Sequence, residues 1–97
     1  MRRYILKGHT PIECPDLLTW ARQLDEITRI VNKTVLKHGT VSTVFLGLDH
    51  SLSDDGPPLL FETMVFRGPL DQTCERYATW EDAEQGHGAM VRRVESL

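Results

Sequence analysis

The sequence predicts an α+β domain: a two-layer fold in which an antiparallel sheet of five or so strands carries two helices on one face. Two β-rich runs joined by a turn-forming linker in residues 40–67 predict the centre of the sheet, and two segments with apolar residues every three or four positions predict the helices. With 97 residues, 40% of them hydrophobic, the chain suits one domain with one core, residues 1–97. The predicted element order is β-β-α-β-β-β-β-α.

The first third of the chain predicts a small hairpin and a helix. Residues 3–6 favour β-structure, Gly8 lies in a turn, and the chain returns through Ile12. A helix is then predicted from Pro15 to about Val31, with a proline suited to its first turn. Its apolar residues form one stripe that we expect to be buried: Leu17, Trp20, Ala21, Leu24, Ile27, Thr28 and Val31.

The two central strands, predicted at residues 41–48 and 59–66, have large apolar residues on both faces. A short strand at residues 34–36 precedes them, and Gly39 lies in the tight turn between. A sheet with one face in water would show a polar residue at every second position. We therefore expect something to cover part of the second face. The linker, residues 49–58, is rich in turn formers and predicted to be exposed.

The last third of the chain predicts a short strand near Arg76 and a second helix. Thr79 is the expected N-cap of this helix. Two glycines, Gly86 and Gly88, each cost the helix about 1 kcal/mol relative to alanine, so the helix depends on packing against the sheet. The residues expected on its buried face are Trp80, Ala83, His87, Met90, Val91 and Val94.

Charge and cysteine usage limit the functional classes. Residues 1–48 contain seven Lys and Arg against four Asp and Glu, and residues 49–97 contain four against ten. The basic clusters are too small for non-specific nucleic-acid binding. Cys14 and Cys74 predict two reduced thiols in an intracellular protein, although a single bridge between them remains open. No apolar run reaches the length of a signal peptide or a membrane span, which predicts a soluble, cytoplasmic protein.

His87 is the first candidate for chemistry, because a histidine in an apolar helical stripe could serve as an acid, a base or a pH switch. The favoured interpretation is a core histidine with a hydrogen-bonded ring nitrogen. No Ser, Cys or carboxylate lies at a recognisable triad spacing. We expect neither a catalytic nor a cofactor-binding residue.

The linker offers a second candidate, an oxygen-rich metal site, since hard cations prefer several carboxylates. The spacing matches no known loop, so a solvated acidic loop is favoured and no metal is predicted. Glu62 either reaches solvent, pairs with a base such as Arg67 or marks a binding face, and exposure or pairing is favoured. The residues considered for the metal site are Asp49, His50, Asp54, Asp55 and Glu62.

Residues 41–50, 58–66 and 76–83, with Gly86 and His87, resemble short accessory proteins encoded by tailed bacteriophages and prophages. The resemblance covers most of the chain and includes no catalytic motif. It implies a phage gene product that acts in the host bacterial cytoplasm. Many phage proteins of this size inhibit a host enzyme or defence complex, anti-CRISPR proteins among them, and the analogy of size and origin extends that expectation here.

The favoured function is therefore non-enzymatic protein binding, with a host protein or defence complex as partner and no nucleic acid or membrane. An acidic patch could meet the basic channel of a host nuclease. One alternative is a self-associating assembly protein, a homodimer formed through Phe45, Met64 and Phe66 on an uncovered sheet face. A third is a small metal- or histidine-dependent enzyme using His50 or His87 with Glu62. The predicted partner-binding residues are Phe45, Asp49, His50, Asp54, Asp55, Glu62, Met64 and Phe66.

Overall fold

The computed structural model describes residues 2–24, 29–51 and 55–97. Its helices and strands follow one another in the predicted order, which confirms the α+β class. They are β1 (Tyr4–Lys7), β2 (Thr10–Glu13), α1 (Leu17–Gln23), β3 (Ile30–Leu36), β4 (Gly39–Phe45), β5 (Phe61–Phe66), β6 (Cys74–Tyr77) and α2 (Trp80–Glu95).

The strands form two antiparallel sheets, so the prediction of one sheet of about five strands is wrong. β3, β4, β5 and β6 pair in that order as a meander, and β1 pairs with β2 alone. An isolated bridge between Arg3 and Leu48, and a hydrogen bond of 2.8 Å from the Tyr4 N–H to the Gly47 carbonyl, tie this hairpin to the segment after β4. The hairpin packs beside the larger sheet because Tyr4, 8% exposed, is buried in the core.

Helix α2 packs across all four strands of the larger sheet. The Thr79 hydroxyl accepts a hydrogen bond from the Asp82 N–H at 3.1 Å, which confirms the predicted N-cap. The buried residues of the helix are Ala83, His87, Met90 and Val94, four of the six predicted on that face. Beneath them lie the alternate residues of the two central strands: Val41, Thr43, Phe45, Phe61, Thr63 and Val65.

Helix α1 is shorter and less buried than the sequence predicts. It has seven residues, none of them buried, and Leu17 and Leu18 are 55% and 66% exposed. Residues 25–28 of the predicted helix lie outside the described residues, and its predicted end, Val31, belongs to β3. Ile30 and Val31 adopt a strand because β3 pairs with β4 and because β-branched side chains favour an extended backbone.

The two helices do not pack on one sheet as predicted, because α2 lies on the larger sheet and α1 lies against β1 of the hairpin. The Trp20 indole N–H of α1 donates to the Gly47 carbonyl at 3.0 Å. In the β1–β2 turn, His9 stacks on Trp80 at the start of α2, with ring centroids 3.8 Å apart. The second layer is therefore α2 with the hairpin at its N-terminal end. Neither helix of the described chain is long and apolar enough to cross a membrane.

Candidate functional site

The face of the larger sheet that points away from α2 is the principal candidate site, and we call it the open face. Strand register defines it: Lys33 lies opposite Ser42, Ser42 opposite Met64, and Met64 opposite Cys74. Because side chains alternate along a strand, the residues two positions away lie on the same face. The open face comprises Ile30, Lys33, Val35, Thr40, Ser42, Val44, Glu62, Met64, Phe66, Cys74 and Arg76.

Three large apolar side chains on the open face are exposed. Val35 is 69% exposed, Phe66 49% and Ile30 43%, while Val44 and Met64 are half-buried between them. Single exposed apolar residues are ordinary on protein surfaces, but several on one face of one sheet form a patch. The open face is thus only partly covered by the described chain, and the doubly apolar pattern of the central strands has left apolar surface in contact with solvent.

A shallow depression of about 280 Å³ lies at the β3 side of the open face. Its floor is apolar, formed by Ile30 and Val44, and Ser42 contributes a hydroxyl. Arg29 and Lys33 supply its two cations. The Arg29 Nε–H donates a hydrogen bond to the Phe45 carbonyl at 3.0 Å, which fixes the position of the guanidinium group. The depression therefore combines apolar surface with positive charge.

At the other side of the open face Glu62 pairs with Arg76, whose Nε lies 3.0 Å from the carboxylate. The suggested partner Arg67 is elsewhere: its guanidinium donates to the Leu36 and Lys37 carbonyls. Burial, together with the neighbouring Glu62 carboxylate, raises the pKa of the Cys74 thiol above its ordinary value. Cys14 and Cys74 are both free, so the open alternative of a bridge between them is not realised in the structure.

Of the predicted partner-binding residues, Glu62, Met64 and Phe66 lie together on the open face, whereas Phe45 does not. Phe45 is 4% exposed and packs beneath α2, with its ring centroid 5.4 Å from that of Phe61. Phe45 therefore cannot contribute to a dimer interface with Met64 and Phe66, and its role is in the core.

Asp49 and His50, at the start of the linker, are hydrogen-bonded to Leu59, the residue that follows it. Asp49 accepts hydrogen bonds from the N–H groups of Ser51 at 2.9 Å and Leu59 at 3.1 Å, and Arg2 lies 3.7 Å away. Burial alone would raise the pKa of Asp49, but these partners hold it below its ordinary value. The His50 N–H donates to the Leu59 carbonyl.

Of the remaining acidic residues, Asp54 lies outside the described residues and Asp55 is exposed. Within residues 2–24, 29–51 and 55–97, no three His, Cys, Asp or Glu side chains are grouped as ligands for a metal ion. The contacts of Asp49 are those of a residue that closes a loop.

His87 is 2% exposed and lies in a chain of buried hydrogen bonds. Its Nδ1 lies 2.7 Å from the Thr43 hydroxyl and its Nε2 2.8 Å from the Thr34 hydroxyl. Thr43 in turn bonds to Thr63 at 2.6 Å, and the Tyr77 hydroxyl interacts with Thr63. Burial lowers the pKa of His87, so the ring is neutral, as favoured for a core histidine. The imidazole has no exposed edge from which to act on a substrate.

Comparison of the chain with protein-family models, with curated proteins and with solved structures finds no match. Sequence reasoning missed the β3 part of the site. Arg29 and Ile30 were assigned to a helix that was predicted to run to about Val31, and Val35, although predicted in a strand at residues 34–36, was not among the predicted binding residues, nor was Lys33. The signal was present: Ile30, Val31, Thr34 and Val35 are all β-branched.

Proposed function

We propose that this domain is a non-enzymatic protein-binding module and that the open face is its binding surface. The observation that carries the proposal is the exposure of Ile30, Val35 and Phe66 on one side of a sheet whose other side is sealed by α2. Apolar surface in water is unfavourable by about 25 cal/mol per Å², and covering it is the usual source of binding free energy between proteins.

Pairing of the open face with a second copy of itself is disfavoured by its charge. Among the described residues, the charged groups of the open face are Lys33 and Arg76 against Glu62, and Arg29 adds a third cation in the lining of the depression. In a two-fold symmetric dimer the same patch lies on both sides, so an excess of positive charge would meet the same excess. Like charges held together across an interface weaken association. A different protein is therefore the better occupant.

The resemblance to phage accessory proteins supports a host protein or defence complex in the bacterial cytoplasm as the class of partner. An inhibitor of this kind works by occupying a surface, and it requires an exposed apolar face rather than a catalytic group. The apolar patch of the open face meets that requirement. The burial of His87 supports the non-enzymatic proposal over a histidine-dependent reaction.

The proposal is tested by removing the apolar patch while keeping the strands. The double variant Val35→Thr/Phe66→Thr retains β-favouring residues at both positions. A matched control, Leu17→Gln/Leu18→Gln, removes two exposed leucines from α1 and keeps helix-favouring residues. Each protein is immobilised and exposed to lysate of the source cell, captured protein is identified, and its affinity for each form is measured with purified components. Circular dichroism verifies that all forms are folded.

We expect a partner that binds the wild type and the α1 control equally and binds the open-face variant at least about tenfold more weakly, the loss of about 1.4 kcal/mol or more expected of an interface hot spot. Equal binding by all three forms would show that the open face is not the binding surface. Sedimentation measurements on the wild type at tens of micromolar are expected to show a monomer. A dimer abolished by Val35→Thr/Phe66→Thr would replace the proposal with self-association.

A further inference from the structure

We infer that the open face takes an acidic, amphipathic segment of its partner, seated on the depression between Arg29 and Lys33. The inference rests on the proposed function and specifies the chemistry of the partner. It depends on a contrast in charge: the described residues that line the depression include two cations and no carboxylate, in a chain whose net charge is -3. The site therefore carries a charge opposite in sign to the net charge of the protein.

The geometry of the depression suits carboxylates carried beside apolar side chains. Ile30 lies opposite Val44 on the neighbouring strand, and Lys33 lies opposite Ser42, so an apolar pair and a polar pair alternate along β3 and β4. An extended segment that alternates acidic and apolar residues can place its apolar side chains on the first pair and a carboxylate at the second. Lys33 is exposed, which leaves its ammonium free to reach that carboxylate.

The second cation is held in place. The bond from the Arg29 Nε to the Phe45 carbonyl orients the guanidinium at the edge of the depression. A guanidinium fixed in this way loses less conformational entropy when it binds a carboxylate through its remaining N–H groups. Glu62, which lies opposite Val44 on the neighbouring strand, is engaged by Arg76.

Nucleic acid fits this site less well than protein. Two cations would neutralise about two phosphates, too few for substantial affinity at physiological salt. The exposed apolar side chains on β3, Ile30 and Val35, are aliphatic and offer no aromatic plane on which bases could stack, and the exposed aromatic side chain of the open face, Phe66, lies two strands away on β5.

The test uses synthetic peptides of twelve residues that alternate Glu with Leu, and a counterpart in which every Glu is Lys. Binding of each labelled peptide to the whole protein is measured by fluorescence anisotropy at about 50 mM and about 200 mM NaCl, because surface charge interactions weaken with salt. Lys33→Glu reverses one charge of the depression. Lys7→Glu, at an exposed position on the β1–β2 hairpin, makes the same change in net charge elsewhere and serves as the matched control.

We expect the acidic peptide to bind the wild type at least about tenfold more tightly than the basic peptide does. The affinity of the acidic peptide should fall about tenfold for Lys33→Glu, as reversal of one charge in a close pair predicts. Lys7→Glu should bind like the wild type. Equal binding of the two peptides, or equal losses in Lys33→Glu and Lys7→Glu, would overturn the inference. So would a single-stranded oligonucleotide of twelve nucleotides that binds as tightly as the acidic peptide.

Failure of this inference and failure of the proposed function give different results. One outcome is that the natural partner does not bind Val35→Thr/Phe66→Thr but binds Lys33→Glu as tightly as it binds the wild type. The open face is then a binding surface, but it does not recognise an acidic segment of the partner. If the partner is unaffected by all three substitutions, the binding surface itself is elsewhere.

Discussion

The Nδ1 atom of His87 lies 2.7 Å from the Thr43 hydroxyl, at the point where α2 crosses the centre of the sheet. Together with the 2.8 Å contact from Nε2 to Thr34, it leaves both ring nitrogens paired with uncharged groups. Within the described part of the chain the ring has these two hydroxyl partners and no carboxylate partner, so an added proton on His87 would be a buried charge without a counter-ion.

Stability should therefore fall as the solution becomes acidic. The pKa of His87 in the folded protein is lowered by burial from 6.5, near its value in the unfolded chain. The unfolded state then binds the proton first, so the stabilisation is complete above pH 6.5 and is lost as pH falls from 6.5 towards the folded pKa, at up to about 1.4 kcal/mol per pH unit. Urea unfolding at about pH 7.5 and about pH 5.5 measures the loss.

The variant His87→Gln isolates this contribution, because glutamine keeps a hydrogen-bonding side chain and does not titrate. Carboxylates elsewhere titrate in both proteins, so comparing the two proteins removes the contribution of the carboxylates to the pH dependence of stability. We expect the variant to have a lower free energy of unfolding than the wild type at the higher pH. The difference in free energy of unfolding between the two proteins should be smaller at the lower pH. A constant difference between the two proteins would show that His87 does not titrate in this range.

Thr43→Val should destabilise the fold by about 1–3 kcal/mol, because it leaves His87 Nδ1 and the Thr63 hydroxyl without their shared partner in a buried site. Valine matches threonine in shape, which limits the change to the hydroxyl. Thr40→Val is the matched control at a half-buried position on the open face, where we expect a change within about 0.5 kcal/mol. Similar losses in both variants would contradict a special role for the buried hydroxyl.

Gly86→Ala should destabilise the protein, although alanine favours a helix by about 1 kcal/mol over glycine. A Cβ at residue 86 would overlap the ring and hydroxyl of Tyr77, which packs directly on the glycine. Gly88 is the internal control: its Cβ would meet only the Arg92 guanidinium, at 3.5 Å. Thermal unfolding should show a lower Tm for Gly86→Ala and a higher Tm for Gly88→Ala, and a rise for both would disprove the close packing of Tyr77.

Asp49→Ala should cost about 1.5–3 kcal/mol at neutral pH, since the carboxylate accepts two backbone N–H groups that close the linker. The pKa of Asp49 is lowered from 3.8 on folding, so this contribution is present above pH 3.8 and is lost as pH falls through the folded pKa. When the free energy of unfolding is measured as a function of pH, the difference between Asp49→Ala and the wild type should become smaller at acidic pH. Glu13→Ala, at an exposed strand position, should have little effect, and a loss as large as that of Asp49→Ala would argue against the turn.

Much of the fold follows from local pattern. The alternation in β4 and β5 predicted apolar residues on both faces of the central strands but not which face α2 covers, and the Thr79 cap located the start of α2. The prediction was wrong for residues 30–31, where the helical spacing of apolar residues continues into a run of β-branched residues. Both patterns were present there, and only pairing with β4 selects the strand.

The sequence by itself determined the element order, the capped second helix and the presence of apolar residues on both faces of the central strands. Each is a property of neighbouring residues, through spacing, capping or alternation. The tertiary structure decided that the hairpin leaves the main sheet, that Glu62 pairs with Arg76, and that Arg29 and Lys33 flank one apolar depression. These features depend on strand register, which brings together residues that are distant in the chain. The type of one such residue does not indicate which other residue will lie beside it.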